Sequence, residues 1–141
     1  MKGTEILKKK KFNFLFLIAV NFFIIQSVIA EVEFRNGKQL KVNMSEKESQ
    51  VVKTAFEILQ SDYSRVFHSE IILSKSKADV IVGTIGLGSK AEKLAGKTEV
   101  KELKQKREGF LIIVKNKFLI VLGSDKRGTA YGLLELSRMM G

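Results

Sequence analysis

The chain has 141 residues, 45% hydrophobic and 28% charged, with 25 basic and 15 acidic side chains and a formal net charge of +10. It holds one histidine, no cysteine, no proline and no tryptophan. That length holds one domain of ordinary globular composition. The lack of cysteine excludes disulfide staples, thiol chemistry and zinc-cysteine sites.

Lys2 and Lys8 to Lys11, with Glu5 the one acid, precede an apolar run from Phe12 to Ile25 and a small-residue site at Val28-Ile29-Ala30. This pattern predicts a secretory signal peptide over residues 1–30, cleaved to leave Glu31 as the mature start. A membrane anchor needs roughly 20 apolar residues, and this shorter run is interrupted by Asn13 and Asn21. Cleavage takes five basic residues and one acid from the 25 and 15, leaving 20 and 14, a net of +6 over residues 31–141. The expected location is periplasmic or extracellular. A basic exported domain suits an acidic polysaccharide or an anionic surface better than nucleic acid. Lysines kept for solubility account for the same charge.

Val32, Phe34, Leu40 and Val42 alternate with polar residues around Asn36-Gly37, which predicts a first hairpin. Ser45-Glu46-Lys47-Glu48 has capping-box spacing. The helix it introduces carries Val52, Ala55, Phe56, Leu59 and Tyr63 on one stripe and runs to about Arg65. Short strands follow at Glu70 to Leu73 and Asp79 to Val82, separated by the polar turn Ser74 to Lys77. Gly83 to Gly88 reads as a loop and Ser89 to Ala95 as a short helix ended by Gly96. Thr98 to Arg107 is nearly all charge, compatible with a solvated helix or a mobile loop. A closing hairpin, Phe110 to Val114 and Phe118 to Leu122, leads into a helix from Lys126. There Ala130, Leu133, Leu134, Leu136 and Met140 recur at helical spacing.

The order β-β-α-β-β-(α)-β-β-α predicts an α+β, two-layer sandwich. Its sheet is mainly antiparallel, with the two long helices on one face.

Few residues qualify for chemistry. Gly123-x-x-x-x-Gly128-Thr129 has the outline of a phosphate loop, but Thr129 stands where that loop needs lysine. Asp125 would also repel the anion. A turn with Ser124 or Asp125 as helix cap is the better reading. Gly83-x-x-Gly86-x-Gly88 has its spacing reversed from a dinucleotide fingerprint. His68, at a helix end, has no partner motif for catalysis or a metal. Asp62, Asp79, Glu108, Asp125 and Glu135 show no pairing of the kind glycoside hydrolysis needs. No catalytic residue, cofactor or metal is therefore assigned. What remains is Asp125 and Arg127 at the last helix start, with Gly128 and Gly132 one turn apart on one helix face. Arg127 is read as an ion-pair or bracing group, or more weakly as a donor to a sugar carboxylate. The glycines are read as a face open to close contact with another protein surface.

Arg107-Glu108-Gly109-Phe110, Gly123-Ser124-Asp125-Lys126-Arg127-Gly128-Thr129-Ala130-Tyr131-Gly132 and Leu134-Glu135-Leu136-Ser137-Arg138 resemble family 115 glycoside hydrolases, bacterial α-glucuronidases acting on xylan side chains. The similarity extends upstream through Thr54 to Asp62 and Val80 to Gly86. The part resembled is the small N-terminal domain of hexosaminidase domain 2 type. The resemblance implies that residues 31–141 are an accessory domain, inactive alone, supporting a catalytic barrel that follows Gly141 in the parent enzyme. It also implies an acidic polysaccharide, glucuronoxylan, as that enzyme's substrate. The abrupt apolar finish at Met139-Met140-Gly141 is expected of a truncated piece. The alternatives are a free-standing carbohydrate-binding adaptor, disfavoured because Tyr63 and Tyr131 read as buried, and a structural protein, homodimeric through the glycine face.

Overall fold

The structure, a computed structural model, describes residues 32–141. The expected signal peptide, its cleavage site and the Glu31 start lie outside the described residues.

Five strands form one sheet: β1 (Leu40–Asn43), β2 (Ile71–Leu73), β3 (Val80–Thr84), β4 (Phe110–Lys115) and β5 (Phe118–Gly123). Four helices accompany them: α1 (Gln50–Phe67), α2 (Lys90–Ala95), α3 (Lys97–Lys104) and α4 (Lys126–Met140). The sheet order is β2-β1-β3-β5-β4. The mixed composition of one sheet and helices is as expected, and the two long helices α1 and α4 do share one face.

Strand direction is corrected. β1 pairs parallel with both β2 and β3, β3 pairs parallel with β5, and only β4–β5 is antiparallel. The first hairpin is absent because both hydrogen-bonding edges of β1 are already taken, leaving none for Val32 to Phe34. Asn36-Gly37 does turn, with Lys38 N–H donating to Arg35 O at 3.1 Å. Phe34 instead packs its ring on Tyr63 and Phe67. Likewise the polar link after β2 is no hairpin turn, since it crosses from one side of β1 to the other. Alternation predicts strands and which face they bury, but says nothing about which edge pairs with which.

A helical cover on the second face is the other correction. Val80, Val82, Leu119 and Val121 point into the core under α1 and α4. Ile81, Ile120 and Leu122, one residue out of phase, meet Ala91 and Ala95 of α2 and Leu103 of α3. Covered on both sides, β3 is buried along its whole length, as the apolar run of an inner parallel strand requires. The closing hairpin forms as read, its turn residues Asn116 and Lys117 at φ 51° and 70°, the left-handed pair that a two-residue turn favours. Among the described residues no helix is long and apolar enough to cross a membrane.

Candidate functional site

The parallel strands β1, β3 and β5 end at one rim of the sheet, and β4, running the other way, begins there. Connections leaving β1 and β3 depart toward opposite edges, which in open parallel sheets makes the gap between those strand ends the usual ligand crevice. A crevice of about 410 Å³ lies there, lined among others by Asn43, Glu46, Lys47, Lys75 and Lys90. Its one carboxylate, Glu46, already holds Lys75 at 2.8 Å. Hydrogen bonding to the Lys75 ammonium lowers the Glu46 pKa. No histidine or aromatic ring lines it, so it offers positive charge without a general base or a stacking platform.

Beneath the rim runs a buried polar chain that sequence reading missed. The capping-box spacing makes Glu48 its closing half, yet α1 begins later, at Gln50 with Ser49 as its N-cap residue. Ser45 makes only a local turn, accepting from Lys47 N–H at 3.2 Å. Glu48 is 3% exposed. It accepts from the Thr84 N–H at 3.0 Å and the Thr84 hydroxyl at 2.7 Å. The Thr84 hydroxyl lies 2.7 Å from that of Thr129, itself fully buried in the first turn of α4. Three segments distant in sequence are so tied at one point, each buried polar atom matched as burial demands. A signal existed: Thr129 falls on the same helical stripe as Ala130, Leu133 and Leu136, so its hydroxyl had to find a buried partner.

Outside the rim, Asp125 and Arg127 are brought together with Glu108. Asp125 is the N-cap of α4, accepting from the Arg127 and Gly128 N–H groups, both at 2.9 Å. It also accepts from Glu108 N–H at 2.8 Å. The Gly128 N–H, then the Glu108 N–H, hold its carboxyl below the usual aspartate range. Ser124, the other cap candidate, accepts from Gly109 N–H instead. Arg127 pairs with Glu108 at 2.9 Å, and that carboxylate raises its pKa further. Glu108 occupies the left-handed region at φ 54°, an uncommon setting for a side-chain-bearing residue. All three groups are engaged with one another, an arrangement that braces a loop rather than donating or taking a proton.

Gly128 and Gly132 do not open outward, which corrects their reading as a free face. A Cβ on Gly128 would stand 2.1 Å from Gly109 O, and one on Gly132 2.8 Å from Val121 Cγ1. Both let α4 lie close on β4 and β5. Tyr131, expected inside, is 46% exposed, and Leu134 is 39% exposed, whereas Tyr63 is fully buried. His68 caps the other end of α1 in the left-handed conformation, its N–H on Ser64 O. Among the described residues no group of three histidines or acids is placed to hold a metal.

No protein-family model and no curated protein matches the chain. Solved structures do. One described as a family GH115 4-O-methyl-α-glucuronidase, BtGH115A, with specificity for decorated arabinogalactans, is 36% identical over 75% of this chain, with a TM-score of 0.68. A second, described as CpGH84D, shares the fold alone, with 16% identity over 75% of this chain and a TM-score of 0.59. The chain spans 14% of the length of the first and 18% of the second. The chain therefore contains a domain related to the family 115 glycoside hydrolases.

Proposed function

We propose that the domain is a non-catalytic accessory module of an exported α-glucuronidase-like enzyme, packing against a catalytic barrel and supporting it. The observation that carries this reading is its likeness to a small fraction of a GH115 glucuronidase, on a domain in which three acids near the rim are committed to structure. Asp125 caps a helix, Glu108 holds Arg127, and Glu48 is buried on Thr84. Hydrolysis of a glycosidic bond needs two carboxyl groups free to face it.

The docking surface in this reading is the outward ridge of α4. Arg127, Tyr131, Leu134 and Arg138 recur at three-to-four spacing, and all four are exposed, so two large apolar groups stand between two cations. Central apolar anchors with a charged rim are the composition of a docking patch. Export rests on the Lys2 to Ala30 pattern, and the parent substrate is an acidic, glucuronate-decorated polysaccharide of the xylan or arabinogalactan class.

The test has two parts. Residues 31–141 should release no methylglucuronate from decorated oligosaccharides, and turnover would overturn the reading. In a longer protein carrying a barrel, Tyr131→Asp with Leu134→Asp should lower the melting temperature while leaving the isolated domain unaffected. A second reading, a free-standing glycan-binding adaptor, is favoured by the exposed Tyr131 ring. Binding to neutral oligosaccharide that Tyr131→Ala abolishes would select it.

A further inference from the structure

Positive charge is unevenly spread. Residues 90–107, which make up α2, α3 and the start of the return to the sheet, hold seven basic and three acidic side chains. They supply four of the six net charges on residues 31–141. Two of the three acids are engaged with neighbouring groups. Glu92 accepts from Gly86 N–H at 3.0 Å, with Lys104 at 4.0 Å, and Glu99 lies 3.7 Å from Lys115. Both are partly buried, whereas Lys93, Lys97, Lys101, Lys104 and Lys106 are exposed.

Helix geometry sharpens this. Lys97, Lys101 and Lys104, at i, i+4 and i+7, stand on one face of α3, a row roughly 10 Å long at 1.5 Å rise per residue. Like charges stacked in this way cost stability in an isolated helix. Here α3 is held from beneath by Leu103 and Val100, so the row stays displayed. Among the described residues Lys93, Lys97, Lys101 and Lys106 pair with no carboxylate.

We propose that the α2–α3 face is a docking surface for an anionic polysaccharide, a chain bearing repeated uronate groups, with Lys97, Lys101 and Lys104 as its principal contacts. A linear row of flexible ammonium groups suits a linear polyanion whose charges recur along its length, since each lysine can meet a carboxylate without a shaped pocket. α3 itself carries no aromatic residue, and half-buried Phe118 lies under Lys90 of α2, so the row reads charge rather than a particular sugar ring. The face lies across the sheet from α4, leaving the α4 ridge free. The choice of a glycan as partner rests on the accessory-module reading above.

The experiment measures binding of residues 31–141 to polygalacturonate by calorimetry or affinity electrophoresis, at low salt. Binding should weaken about tenfold or more at roughly 0.3 M salt, where the screening length is below the ~10 Å of 0.1 M. Lys97→Glu with Lys101→Glu and Lys104→Glu should weaken it about tenfold or more. Arg35→Glu with Lys38→Glu and Lys77→Glu carries the same change in net charge and should weaken it less than about threefold. Far-ultraviolet circular dichroism and the melting temperature establish that both variants fold. Absent binding, equal losses in the two variants, or tighter binding to duplex DNA or phosphatidylserine vesicles than to polygalacturonate would each overturn the proposal. None of these outcomes bears on the inactivity or barrel-support tests, so the two readings fail separately.

Discussion

The two faces of the sheet are held by different means. On one, α1 and α4 lay long apolar stripes against each other and against β1, β3 and β5, with Tyr63, Leu59, Leu133 and Leu136 all buried. On the other, two short helices contribute Ala91, Ala95 and Leu103, and much of what remains on them is charged. The first face is a core in the ordinary sense. The second is a thin cover whose outer surface is free to be spent on charge. A face closed by a broad stripe constrains many residues, whereas one closed by two alanines, Leu103 and the half-buried Leu94 and Val100 constrains fewer.

The largest expected effect contrasts the two directly. Leu133→Ala, at a fully buried position, should cost about 3–5 kcal/mol in urea unfolding, the upper part of the range for buried leucines. Leu103→Ala on the thin face, at 4% exposure, should fall near the lower end, about 2 kcal/mol, because the light cover can settle into the space. Equal losses would break the comparison.

Next is the fit of α4 on the sheet. Gly128→Ala places a methyl against a backbone carbonyl that cannot swing aside, and should cost about 1–3 kcal/mol. Gly132→Ala meets the end of a valine side chain and should cost less. The reverse ranking would mean that α4 can slide along the sheet.

Thr129→Val tests the buried chain at the rim. The volume is kept while the hydroxyl beside Thr84 is lost, so a cost of about 1–3 kcal/mol is expected. A neutral outcome would mean that Glu48 and Thr84 satisfy each other without it.

The smallest effect is at the cap. Asp125→Ala should cost about 0.5–2 kcal/mol. The Asp125 carboxyl is held below its ordinary value by the Gly128 and Glu108 N–H groups. Its contribution is therefore fully present above the unfolded carboxyl pKa of about 3.9, and is lost as pH falls through the lower folded value. Asp125→Asn should flatten that acid limb in unfolding measured from pH 5 to 2. An unchanged limb would assign the acid sensitivity to another carboxylate.

Legibility followed the same division. The α1 stripe, the closing hairpin, the Gly96 stop and the start of α4 were readable because each is decided by neighbours in sequence. The sequence of α3 is compatible with helix or loop, since only Val100 and Leu103 mark its inner side and the rest of its residues are polar or charged. The candidate site was half legible. The helix start marks Asp125 and Arg127, while Glu108, 17 and 19 residues away, reads in the sequence only as an isolated acid. The glycine face was located correctly on α4 but assigned to the wrong side, because a helix with glycines four apart has no internal sign of what approaches them. Leu134 and Tyr131 erred in the complementary direction.

From the sequence by itself came the elements, the caps and the apolar stripes, because helix and strand periodicity and turn chemistry act over a few residues. Tertiary structure alone decided that β1 lies between two parallel neighbours, that Glu48 turns inward to Thr84, and that a charged helix covers the second face. Strand pairing and buried hydrogen bonds are choices among distant partners, and their free energy exists only once the chain has brought those partners together.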